Sequence, residues 1–117
     1  MSLESDLTAR LQTVCPRVYP DFAPVSTPRP YVTYQRIGGE PVNYIENTVP
    51  AQRHTVVQVN VWADTRLSAT TLIGQIEDAL RTASAFTARP QSAAMDDFDA
   101  DVPVYSTLMD FDIWATR

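Results

Sequence analysis

The sequence predicts an α+β domain: two amphipathic helices packed on one face of a mainly antiparallel four-stranded sheet, in the order α-β-β-α-β-β. Three observations carry this expectation. In TVVQVNVWAD (55 to 64), Val57, Val59 and Val61 form one strand face, with Val56, Gln58, Asn60 and Trp62 on the other. Directly afterwards Leu72, Ile73, Ile76, Ala79, Leu80 and Ala83 recur at helical spacing. The closing segment VYSTLMDFDIWAT returns to period two, with Tyr105, Thr107, Met109, Phe111, Ile113 and Ala115 on one side.

Each element can be justified in chain order. Leu3, Leu7, Leu11 and Val14 make one stripe of a first helix, with Ser2 as N-cap and Pro16 as its stop just after Cys15. Residues 16 to 30 contain five prolines, which fix φ and remove donors, so the stretch can be neither helix nor central strand. Val18, Tyr19, Phe22 and Val25 give it apolar contacts to make, and it reads as an extended arm lying across the domain. YVTYQRI (31 to 37) is β-branched and aromatic and ends at the turn signal Gly38-Gly39.

The connection from 38 to 51 is too long for a tight hairpin, and loops of that length tend to be functional. It carries Val42, Tyr44, Ile45 and Val49, which a purely solvated loop does not need. A strand over about 52 to 63 follows, then a helix over about 67 to 84, with Asp64, Thr65 or Ser68 as cap and Arg81 in the last turn. AFTARPQSA is expected to be a third strand, held to an edge or bulge by Pro90. DDFDADVP reads as a turn region, and 104 to 116 as the last strand. The strand–helix–strand crossover is expected to be right-handed. Two helices can cover only one sheet face, so Trp62 and Trp114 fall on the uncovered side.

The totals bound the class. A chain of 117 residues suits one domain, 1 to 117, with roughly 6,400 Å² of surface as a monomer. The net charge is −5, and all nine basic residues are arginines scattered singly, so there is no basic stripe for tight nucleic-acid binding. The lone Cys15 excludes an internal disulfide and fits a reducing compartment. An acidic N-terminus without an apolar core is no secretory signal, and no apolar run approaches the ~20 residues of a membrane helix. A soluble intracellular protein, with no membrane association, is the expectation.

Side chains that could carry chemistry are few. Asp97, Asp99 and Asp101 fall at the 1, 3, 5 spacing of a calcium loop, but Val102 stands at the glycine position and Leu108 where a bidentate glutamate belongs. A solvated turn that discourages edge aggregation fits them better than a metal site. Cys15 and the only histidine, His54, lie on different elements, and no glycine-rich turn accompanies either. The glycine pair lies between strands rather than before a helix, which excludes a phosphate-cradling loop. No catalytic, cofactor-binding or metal-binding residue is expected.

The succession PYVTYQRIGG, TVVQVNVWAD before a helix ending in IEDAL, and a terminal MDFDIWA resembles the phage tail completion proteins, relatives of the tail terminators of long-tailed phages. The likeness spans almost the whole chain, and its specificity lies in order and spacing rather than in any one motif. It implies a sheet with helices on one side and homo-oligomers, commonly hexameric rings, that cap the tail tube, end its polymerisation and meet the head connector. The implied location is the virion tail, with assembly in the host cytoplasm. Partners would be the tube and connector proteins, with DNA passing nearby without specific binding. No catalytic residue is implied.

In that reading neighbouring subunits cover the second sheet face and the long loop. The candidates for such contacts are Val42, Tyr44, Ile45, Val49, Val56, Trp62 and Trp114. Acidic side chains that could line a lumen and repel DNA are Glu40, Glu46, Asp97, Asp99 and Asp101. The αββαββ order is also a circular permutation of the ferredoxin-like order, so a small dimeric ligand-binding or catalytic module is the alternative.

Overall fold

The computed structural model describes residues 3–41 and 49–116. Its elements are α1 (Leu3–Gln12), β1 (Val18–Pro20), β2 (Tyr31–Gly38), β3 (Gln52–Ala63), α2 (Arg66–Arg81), β4 (Thr87–Pro90), β5 (Met95–Asp99) and β6 (Val104–Thr116). They build a six-stranded mixed sheet in the order β1-β2-β3-β6-β4, with β5 also paired to β6.

Two helices and an α+β layering match the expectation, and β3, α2 and β6 form close to the predicted bounds. The four-stranded antiparallel sheet does not stand, because two short strands join it. Val18–Pro20, inside the proline-rich arm, pairs in parallel with β2, opposite Val32 to Tyr34. An edge strand needs hydrogen bonds on one side only, so proline is tolerated there. The second addition is Met95–Asp99, expected as turn. It pairs antiparallel with the first half of β6, and all five of its residues are exposed. Without a buried face there is no alternation for a sequence to display.

The core lies on one face of the sheet. Val32, Tyr34, Val57, Val59, Val61, Met109, Phe111 and Ile113 meet Leu7 and Leu11 of α1 and Ala69, Ile73, Ile76 and Leu80 of α2. At about 1.5–3 kcal/mol for each large apolar side chain removed from water, this layer supplies the main folding force. Thr65 caps α2 as one of the predicted candidates, its hydroxyl accepting from Ser68 N–H at 3.1 Å. Arg10 of α1 reaches the other end of α2, donating to the Ala79 carbonyl at 2.7 Å and to the Thr82 hydroxyl at 2.9 Å. That satisfies acceptors the last helical turn leaves without partners.

β3 and β6, with 12 and 13 residues, dominate the sheet and set its long axis. At about 3.3 Å per residue each spans roughly 40 Å, consistent with extents of 54 × 25 × 22 Å. Both β4 and β5 lie along β6, β4 opposite Phe111 to Trp114 and β5 opposite Val104 to Leu108. One end of the sheet therefore carries Ala63, Tyr105 and the 100–103 turn, and the other carries Gln52, Thr116 and the Gly38 end of β2.

Candidate assembly surface

The sheet face away from the helices is a ladder of polar groups closed at each end by an aromatic pair. At one end Trp62 stacks on Tyr31, centroids 6.1 Å apart, and its indole N–H donates to the Thr33 hydroxyl at 3.1 Å. In the middle Gln58 donates to Asp110 at 3.2 Å, one rung from Asn60. At the far end Trp114 stacks on His54 at 4.7 Å. The opposite face of β3 is thus covered largely by its own cross-strand neighbours, the unit by which sheets are stabilised.

His54 has both ring nitrogens engaged. The backbone N–H of Glu40 donates to Nδ1 at 2.9 Å, so the proton sits on Nε2, which donates to Asp112 at 2.8 Å. A histidine tied in this way bridges the start of the long loop to β6. Both of its ring nitrogens are taken up by these two hydrogen bonds. Gly39 lies hard against the same place, since a Cβ there would stand 2.4 Å from the His54 carbonyl oxygen.

At the opposite end Arg66 organises the β5–β6 hairpin. It opens α2, where the helix dipole disfavours a cation, so its position calls for a partner. The guanidinium donates to the Ser106 carbonyl (2.9 Å), the Thr107 hydroxyl (3.0 Å) and the Asp97 carbonyl (2.7 Å). It also pairs with Asp96 at 3.2 Å and lies 5.2 Å from the Tyr105 ring centroid. Tyr105 in turn packs against Phe98 at 4.6 Å.

Carboxylates of the acidic hairpin bond to their own backbone. Asp97 accepts from the Phe98 N–H, and Asp99 accepts from the N–H groups of Asp101 and Val102, so these carboxylates shape the chain locally. Among the described residues no group of three or more His, Cys, Asp or Glu side chains is placed to hold a metal.

The predicted contact and lumen residues are spread over the molecule. Val56 is buried at 9% exposure but lies outside the core cluster, opposite Asp112 on the ladder face. Trp62 is half-buried and committed to intramolecular contacts, whereas Trp114 is 40% exposed. Val49 and Glu40 are exposed where the long loop meets the sheet, and Asp97, Asp99 and Asp101 are exposed on the hairpin. Val42, Tyr44, Ile45 and Glu46 lie outside the described residues.

Most of the exposed large apolar side chains fall into two end groups, while Phe22 on the arm and Met95, opposite Leu108 in mid-sheet, belong to neither. Leu67, Phe98 and Val102 occupy the hairpin end, where Val25 of the arm lines a shallow groove with Val102 and Asp64. The Arg29–Asp64 ion pair at 2.6 Å holds that arm. Ile37, Val49 and Trp114 occupy the other end. Phe98 and Val102 were masked in the sequence by the carboxylates around them. Arg66 left a faint signal, a cation on the first turn of a helix.

The sheet is long and two-faced, with helices on one side and exposed apolar side chains at each end. The chain belongs to the phage tail completion family described as Tail completion protein gp17, whose family model matches residues 4–116, nearly its full length. Among 35 matching solved chains, one aligns with a TM-score of 0.54 at 14% identity over 94% of this chain and 89% of that one, a likeness of fold alone. No curated protein matches the sequence. Among the described residues no helix is long and apolar enough to cross a membrane.

Proposed function

We propose that copies of this tail completion protein close head to tail into a ring at the end of the tail tube, ending its polymerisation and presenting a surface to the head connector. One observation carries the reading: the two ends of the sheet expose different apolar sets, Leu67, Phe98 and Val102 at one and Ile37, Val49 and Trp114 at the other. A two-fold dimer uses one self-complementary patch, whereas a ring uses two unlike patches on each subunit. Val42, Tyr44 and Ile45, which lie outside the described residues, remain candidates for the same contact on sequence grounds. The protein then resides in the virion tail after assembly in the host cytoplasm.

The net charge of −5 suits a ring that DNA must traverse without sticking. Glu40 and Glu46 are the loop candidates for a lumen lining, and Asp97, Asp99 and Asp101 the hairpin ones. Light scattering on the purified protein, with and without tube subunits, tests the reading alongside negative-stain images. The expected result is a particle of several subunits with a central hole, and tubes that stop growing once it is added. A closed dimer that leaves tube length unchanged overturns it.

A further inference from the structure

We infer that the β5–β6 hairpin of one protomer docks on the Trp114 end of the sheet of a second copy, an inference that rests on the ring reading and assigns its joint. Charge and apolar surface agree on this pairing. Of the hairpin's four aspartate carboxylates, Asp96 pairs with Arg66, while those of Asp97, Asp99 and Asp101 have no cationic partner among the described residues. Among the described arginines, Arg10, Arg17, Arg29, Arg36, Arg66 and Arg81 all have polar partners. Arg53 and Arg89 are exposed and have no polar partner among the described residues.

Both of these arginines lie at the end opposite the hairpin. Arg53 stands across from Ala115 on β3, and Arg89 across from Asp112 on β4, so the two flank the strand that carries Trp114. Strand alternation sets them on opposite faces of the sheet, Arg53 on the helix side with Thr55 and Arg89 on the ladder side. On the hairpin Phe98 lies on the helix side and Asp97 and Asp99 on the ladder side, the side of Arg89, with Asp101 in the turn beyond them.

End-on docking brings Phe98 and Val102 against Ile37, Val49 and Trp114, with the aspartates reaching the unpaired arginines around them. An apolar centre with a charged rim is ordinary interface anatomy, and Trp and Arg are the residue types on which binding energy concentrates. A two-fold contact between hairpins would instead set three unneutralised carboxylates against three more. The unlike pairing favours a second copy seated head to tail.

A charge-reversal exchange tests this. One variant carries Asp97→Arg with Asp101→Arg, keeping Asp99 because its carboxylate builds the turn. The other carries Arg53→Glu with Arg89→Glu. Each alone should associate about tenfold or more weakly than the wild type, with an unchanged melting temperature. Mixed in equal amounts, they should recover the wild-type particle, because each reversed hairpin then meets a reversed socket in alternation.

If the wild type forms a ring and both variants form it equally well, the joint lies elsewhere and the ring reading survives. Loss of tube capping without loss of the ring assigns the hairpin to the tube protein instead. Folded variants that fail to assemble even when mixed overturn the hairpin-to-socket contact. A wild type that stays monomeric or dimeric on and off the tube overturns the ring reading itself. Should the double hairpin variant melt early, Asp101→Arg alone makes the same comparison with a smaller recovery.

Discussion

Gly39 and Gly74 show how one residue type carries opposite weights in this chain. At Gly39 the backbone takes φ +146°, and an added Cβ would collide with the His54 carbonyl oxygen, a backbone atom that cannot swing aside. Gly39→Ala is expected to destabilise the protein by about 1–3 kcal/mol. Gly74 lies within α2 with open space around it. Gly74→Ala is expected to stabilise by about 0.4–1 kcal/mol, since alanine narrows the unfolded ensemble and suits a helix better. Urea midpoints of the two variants, shifting in opposite directions, check both.

β5 has no buried residue of its own, so its order depends on what holds it against β6. Arg66 supplies three hydrogen bonds and an ion pair from the first turn of α2. The ion pair alone, partly exposed, contributes little. The hydrogen bonds that fix two strands to a helix matter more. Arg66→Ala is expected to raise amide exchange over 95–99 by tenfold or more while leaving β3 protected, because local opening of this unit does not require the core to open. Equal loss of protection in β3 would show that the hairpin and core unfold together.

For the molecule as a whole, the two tryptophans should separate stability from assembly. Trp62 stacks on Tyr31 and donates to Thr33 within its own protomer. Trp62→Ala is therefore expected to cost about 2–4 kcal/mol of stability. Trp114 is 40% exposed at the sheet end, where His54 stacks on it. Trp114→Ala is expected to cost less than about 1.5 kcal/mol in a melt yet weaken self-association by tenfold or more. Parallel melts and light scattering decide between this division and one in which both indoles only complete the protomer.

Periodicity made much of this fold legible. β3 and β6 could be read because one face of each is buried under helices, so Val57, Val59, Val61, Phe111 and Ile113 repeat every second residue. α2 was legible for the same reason at helical spacing. β5 was not, because a strand exposed on both faces leaves no apolar rhythm. β1 was hidden because its pairing is with a strand eleven residues on from Pro20 and its prolines point to an arm. The candidate surface divides likewise. The sequence by itself determined the helix-covered face, the two tryptophans on the opposite face and the kinship with tail completion proteins. Only the tertiary structure decided that Trp62 stacks on Tyr31 and bonds Thr33, that Arg66 clasps the hairpin and that Arg53 and Arg89 stand without partners among the described residues. Burial imprints a repeat on the chain, whereas the pairing of charges depends on which distant strands the fold lays side by side.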